Sequence, residues 1–347
     1  MSVNRRLFIA GAMSMLCPLV AQAQQDAFDM PLIIRKEIEG VDPRYALYAS
    51  QGPYVYSATP IKVKGRNGFE YIVYFPRNQR NPRLIVFSHG AMAEPTAYRD
   101  LLWHWASHGF AVVAPLHRDS IIENGPSLRR RSSTNSVSDW NISSLLEDPV
   151  AWQERAAACA AVLDDIDLVN VAINETINVE RPIIAGHGYG AYVGQMLLGA
   201  SIKDAENKRR SFTDNRFFGG IFMSPQGPGV MGLDEISWQD MTAPSLFLIA
   251  ENEQDFTNQT YQEKAKSYLL AKPGYKHIGL MKKGTANTFS GQNTNTSPME
   301  AKLFEVLRAI STGFLLAYAD YNKEAFQDMT TDFFERMSLG VLDEGRR

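Results

Sequence analysis

Residues 181–198 constrain the fold of this chain more than any other stretch. An apolar run, Pro182-Ile-Ile-Ala185, breaks into Gly186-His187-Gly188-Tyr189-Gly190 and resumes with Ala191, Val193, Met196 and Leu197 at helical spacing. Consecutive apolar residues read as a strand buried on both faces, and the spacing after Gly190 reads as a helix. Three glycines at alternate positions between a strand and a helix mark a turn where backbone passes close to backbone. Its central position, Gly188, has no side chain.

The same alternation runs along the chain. Strand patterns fall at 61–64, 70–75, 83–88, 111–116, 219–223, 245–249 and 275–281. Helical patterns fall at 96–107, 149–170, 258–270, 298–317 and 323–337. Strands alternating with helices specify an α/β architecture: a mostly parallel sheet of about eight strands, covered by helices on both faces. No repeat or linker divides residues 59–347, which read as one domain. Residues 24–58, with Tyr45, Tyr48, Tyr54 and Tyr56, read as an extension packed on it. The polar stretch 118–148, with Arg129-Arg-Arg-Ser-Ser133, reads as a cap-like insertion or lid.

Composition narrows the function. With 35 basic and 38 acidic residues the net charge is −3, nothing suggests a surface for a polyanion, and no nucleic-acid partner is expected. Asn4-Arg5-Arg6-Leu7 opens an uncharged run to Ala21, followed by Ala21-Gln22-Ala23. A basic start, a short apolar core and a small-residue cleavage site describe an export signal at 1–23, and the paired arginines resemble a twin-arginine signal. The expected location is the periplasm or the medium of a bacterium. The run is too short for a spanning helix, which needs roughly 20 apolar residues. Beyond residue 23 only Cys159 remains, so no intrachain disulfide is expected, and its alanine-rich setting reads as a small buried residue.

Five motifs in order, over residues 60–317, resemble the α/β-hydrolases of the dienelactone-hydrolase and platelet-activating-factor-acetylhydrolase-like branch. They are Phe87-Ser88-His89-Gly90, Ala106-Ser107-His108-Gly109, the turn around Gly188, Met223-Ser224-Pro225-Gln226-Gly227, and Ala286-Asn287-Thr288-Phe289. The resemblance implies an α/β-hydrolase fold of esterase type, with a nucleophile elbow Gly-x-Ser-x-Gly at 186–190. It implies oxyanion donors from the backbone N–H groups of Tyr189 and of Ala91 or Met92. The implied acid is Glu253, where the branch usually has Asp, or Asp255 two residues on.

The nucleophile and the base do not follow the pattern. Gly188 stands at the serine position. Counting back from Phe289 puts the histidine position at Ala286, and counting on from Gly284 puts it at Asn287. A triad needs a nucleophile, a base and an acid to orient the base. His187 and His89 are the substitutes nearest the turn, each also readable as a scaffold residue. No cofactor is expected, and no metal-ligand set is read. The chain is expected to be a hydrolase-like pseudoenzyme that binds a small ester or carboxylate ligand, or a protein partner. The alternative is an ester hydrolase with a displaced catalytic set.

Overall fold

The computed structural model describes residues 42–120 and 148–347. The export segment expected at 1–23, much of the extension at 24–58 and nearly all of the lid at 118–148 lie outside the described residues.

Nine strands form one sheet. In spatial order they are β1 (Ile61–Lys64), β2 (Glu70–Tyr74), β4 (Phe110–Pro115), β3 (Arg83–Ser88), β5 (Asn178–His187), β8 (Gly219–Met223), β9 (Ser245–Ala250), β10 (Lys276–Met281) and β11 (Leu342–Arg346). The run from β4 to β10 pairs in parallel, whereas β1–β2, β2–β4 and β10–β11 pair antiparallel. A separate ribbon joins β6 (Ile202–Lys203) and β7 (Arg209–Arg210). This is the architecture of an α/β-hydrolase fold.

The consecutive apolar residues of the central strands feed two cores. Leu84 and Val86 of β3 join one core, while Ile85 and Phe87 join the other. The first core is closed by α3 (Pro149–Asp164), α4 (Ile166–Ile173), α5 (Tyr189–Leu197) and α6 (Tyr261–Leu270). The second is closed by α1 (Pro43–Ala49), α2 (Arg99–Ser107), α8 (Pro298–Tyr318), α9 (Lys323–Met329) and α10 (Phe333–Met337). A short helix, α7 (Ala286–Ser290), follows β10. No helix among the described residues is long and apolar enough to cross a membrane.

Three boundaries differ from expectation, each for a local reason. The helix expected at 149–170 is two helices, because Asp165 ends α3 and turns its buried carboxylate to Tyr71 Oη at 2.7 Å and Arg66 N at 3.3 Å. The helix expected at 323–337 is broken after Met329, where the Thr330 hydroxyl folds back on the Phe326 carbonyl. Strand β11 adds a ninth member to the expected eight. Its Leu-Asp-Glu-Gly-Arg sequence has no apolar alternation and is held by the edge of β10 instead.

The sheet order leaves the carboxyl ends of β3, β4, β5, β8 and β9 side by side, the position where ligands bind in open α/β sheets.

Candidate functional site

Strand β5 stops at His187 and α5 starts at Tyr189, so the whole reversal falls on Gly188, with φ 53° and ψ −114°. Its N–H bonds to Met223 O on β8 at 2.9 Å, and its carbonyl accepts from Tyr192 N at 3.0 Å. The neighbouring glycines are required by space. A Cβ on Gly190 would lie 1.9 Å from Ser88 O, and one on Gly186 2.4 Å from the Gly190 backbone. Around Gly188 nothing lies within 4 Å of an added Cβ, so only the left-handed φ favours glycine there.

The loop Ser88-His89-Gly90-Ala91-Met92 leaves β3 beside this turn. It is gripped by Arg155 of α3, whose side chain is only 3% exposed. Arg155 donates to His89 O at 2.7 Å, to Gly90 O at 3.2 Å, and twice to Asp119, at 2.9 and 2.7 Å. Its guanidinium also lies 4.2 Å from the Tyr189 ring centroid. Burial alone would raise the Asp119 carboxyl, but the Arg155 charge and hydrogen bonds hold it below the usual range. A planar fork meeting a carboxylate in this way is a strong, directional contact.

That grip decides between the expected oxyanion donors. Met92 N points to Asp119 Oδ2 at 3.0 Å, so Met92 is corrected from a donor to part of the clamp. Among the described residues, the N–H groups of Ala91 and Tyr189 have no protein acceptor. Tyr189 N also opens α5, where unpaired N–H groups and the helix dipole favour an anion.

His89 is not available as a base. It is fully buried, its Nδ1–H donates to Gly90 O at 2.8 Å, and its Nε2 accepts from His117 N at 3.2 Å. Burial and the nearby Arg155 charge push its pKa down to about 3. His117, which shares a hydrogen bond of 2.8 Å with the Ser88 hydroxyl, is likewise pushed well below its ordinary value by burial.

The acid side is built around His187. Its Nδ1 shares a 2.8 Å hydrogen bond with Tyr98 Oη, which also accepts from Gly90 N at 3.2 Å. Its Nε2 is buried and faces Glu253 Oε1 at 3.5 Å, an electrostatic contact at the outer edge of hydrogen-bond range rather than an aligned hydrogen bond. Both acid candidates, Glu253 and Asp255, then converge on Lys264 of α6. Lys264 Nζ lies 3.2 Å from Glu253 Oε2, 2.8 Å from Asp255 Oδ2 and 2.7 Å from Ser224 Oγ. Burial would raise the Glu253 carboxyl, but His187 and the Lys264 charge outweigh it and bring its pKa down to about 2.

At the histidine position, Ala286 and Asn287 form the first turn of α7. That turn is capped by Thr285 and Thr288, whose hydroxyls both bond to Glu300 of α8 at 3.0 and 2.7 Å. Phe289 from the same helix packs on His187 with ring centroids 5.1 Å apart. His277 lies within β10 and bonds to Tyr318 Oη at 2.6 Å.

Sequence reading passed over three groups. His104 and His108 stand at His-x-x-x-His spacing on and just after α2, yet their Nε2 atoms hold the carbonyls of Tyr48 and Ser50, both at 3.0 Å. No group of three His, Cys, Asp or Glu residues among the described residues could hold a metal. Arg155 was signalled by its place directly before the small apolar run Ala156-Ala157-Ala158-Cys159, where a cation on the core-facing side of a helix needs a buried partner. Lys264, in the mixed segment Gln262-Glu263-Lys264-Ala265-Lys266, gave no such signal.

A family model described as chlorophyllase matches residues 52–158. The match spans β1 to β4 and most of α3, including the loop Ser88–Met92 and Arg155, and supports membership of the α/β-hydrolase superfamily. It ends before β5 and the turn at Gly188. Among curated proteins no match is found.

Proposed function

We propose that this α/β-hydrolase-fold chain is a pseudoenzyme of esterase-like ancestry, which binds a small ester or carboxylate at the Gly188 turn without cleaving it. One observation carries the reading. The residue at the nucleophile position has no side chain, and the adjacent His187 has Nδ1 committed to Tyr98 and Nε2 sealed against Glu253. Among the described residues, the nucleophile position therefore supplies no attacking atom, and both ring nitrogens of His187 are turned to protein groups. Among the described residues there remain two backbone donors without a protein acceptor, Ala91 N–H in the loop after β3 and Tyr189 N–H at the N-terminus of α5. Such donors bind a carbonyl or carboxylate oxygen without reacting with it.

Magnitudes favour binding over turnover. An oxyanion hole and substrate binding alone give about 10³–10⁴-fold acceleration over water. Enzymes typically supply at least about 10⁶-fold. The affinity of the chlorophyllase match and of the dienelactone-hydrolase-like motifs is then one of ancestry, with specificity residing in the loops around the turn. A protein partner remains a second kind of ligand for the same surface. The arginine pair Arg5-Arg6 and the run to Ala23 support export to the periplasm or medium. Mature protein beginning at Gln24 in a periplasmic or culture fraction is the expected result, and full-length protein confined to the cytosol contradicts it.

A displaced catalytic set is the competing reading, favoured by the His187–Glu253 pair next to the open space over Gly188. A serine-directed fluorophosphonate probe and a panel of short-chain p-nitrophenyl esters separate the two. The pseudoenzyme is expected to stay unlabelled and to show no turnover above the uncatalysed rate. Ester turnover abolished by His187→Ala would establish the displaced set instead.

A further inference from the structure

The residues on the acid side form a line of contacts to the loop Ser88–Met92, hydrogen-bonded at every step except the electrostatic contact between Glu253 and His187. Lys264 Nζ contacts Glu253 Oε2 at 3.2 Å, and Glu253 Oε1 faces His187 Nε2 at 3.5 Å. His187 Nδ1 bonds to Tyr98 Oη at 2.8 Å, and Tyr98 Oη accepts Gly90 N–H at 3.2 Å. Lys264, Glu253 and Tyr98 are buried, and His187 is only 12% exposed on its side chain. The line therefore runs through protein, where unsatisfied polar ends are costly and geometry is tightly held.

Each member has little freedom to do anything else. Lys264 has three ammonium protons and three acceptors, Glu253, Asp255 and Ser224. Burial also argues against a Ser224–Lys264 nucleophile pair. Ser224 is fully buried, and Lys264 Nζ is turned to two carboxylates as well as to the Ser224 hydroxyl. Asp255 is itself fixed by the Thr257 N–H at 2.9 Å and the Thr257 hydroxyl at 2.5 Å. The acid of a triad orients an imidazole toward a nucleophile. Here the same kind of carboxylate faces an imidazole that points to the loop carrying Ala91 N–H.

We infer that Lys264 is a positioning residue for the oxyanion loop, acting across Glu253, His187 and Tyr98 to fix Gly90 and, one residue on, the unclaimed N–H of Ala91. The inference deepens the binding reading above, since it says what sets the affinity of that site. Its primary readout is independent of any ligand. Arg155 and Asp119 hold the loop's carbonyls and Met92 N, whereas the Lys264 line holds the single N–H of Gly90. Loss of the line should therefore loosen one amide selectively.

Amide hydrogen exchange of the intact protein tests this. Lys264→Met is expected to raise exchange at Gly90 by about tenfold, the scale of one hydrogen bond, with β9 amides unchanged. Tyr98→Phe should do the same, and the double variant should be no faster than Tyr98→Phe alone, since both cut one line. Because Lys264→Met strands the buried Glu253 and the partly buried Asp255 and is liable to unfold, Glu253→Gln serves as the second variant. It keeps shape and a partner for Lys264 while removing the charge that faces His187. It too is expected to speed Gly90 exchange selectively. Calorimetric titration with butyrate gives the second readout, a several-fold weaker affinity in Glu253→Gln. If butyrate fails to bind the unaltered protein, the binding reading falls while the exchange result still decides the line. Gly90 exchange at the unaltered rate in Glu253→Gln, or effects of Glu253→Gln and Tyr98→Phe that simply add, would overturn it.

Discussion

The loop Ser88–Met92 and the short helix α7 both reach His187, one through Tyr98 and the other through Phe289, and they are built differently. In the loop, polar groups of His89, Gly90 and Met92 are taken up by Arg155, Tyr98 and Asp119, while Ala91 N–H has no protein acceptor among the described residues. In α7, Thr285, Thr288 and Glu300 close a self-capped turn that presents Ala286 and Asn287, neither of which is a base, and lays an aromatic ring on His187. The loop is thus held by a buried ion pair, whereas α7 presents no base at Ala286 or Asn287. A buried arginine–carboxylate pair is a costly device to keep for a loop with no task, because its desolvation must be offset by good geometry.

Perturbations of the loop side should consequently be the severe ones. Arg155→Leu leaves Asp119 buried without its partner and should cost about 3–5 kcal/mol in denaturant unfolding. A loss under about 1 kcal/mol would mean that the clamp is dispensable. Next comes the turn itself. Gly190→Ala drives a Cβ into Ser88 O and should cost about 3 kcal/mol or more, read as a lower midpoint in urea melts.

Acid acts on the His187 side. Glu253 has its folded pKa depressed from 4.5 to about 2, so its stabilisation is complete above 4.5 and is lost as pH falls toward 2. The gap corresponds to roughly 3 kcal/mol across that window. Glu253→Gln should flatten the corresponding part of the stability–pH curve, and an unchanged slope would place the acid sensitivity elsewhere.

The mildest change is expected at the centre. Gly188→Ser meets no neighbour and bears only the strain of φ 53°, about 1–3 kcal/mol. Without a free base it should still fail to hydrolyse p-nitrophenyl acetate, and vigorous turnover would show that His187 is freer than its contacts indicate. The contrast between Gly188→Ser and Gly190→Ala, two positions apart, sharpens the comparison. One glycine is dictated by packing and the other by conformation.

The fold was legible because the two-sided burial of β3, β4, β5 and β9 is written as uninterrupted apolar runs. Strand β11 was hidden because an edge strand draws its pairing from a neighbour and needs no pattern of its own. The turn at Gly188 was visible in its glycines, since Gly186 and Gly190 answer to close backbone contacts that sequence spacing reflects. The commitments of the side chains were not visible. Nothing in the sequence says that Met92 N turns to Asp119, that His187 turns to Tyr98, or that Lys264 gathers both acid candidates. Those pairings join residues 27, 89, 11 and 9 positions apart and exist only once the sheet aligns its carboxyl ends.

The central claim is that the Gly188 turn keeps the geometry to bind an oxyanion after giving up the means to react with it. Backbone amide resonances followed during a butyrate titration of the unaltered protein test it most directly. The account predicts saturable shifts at Ala91 and Tyr189, with Met92 N, already bound to Asp119, moving little. Absence of any shift at Ala91 and Tyr189, or saturable shifts confined to residues away from the turn, would contradict it.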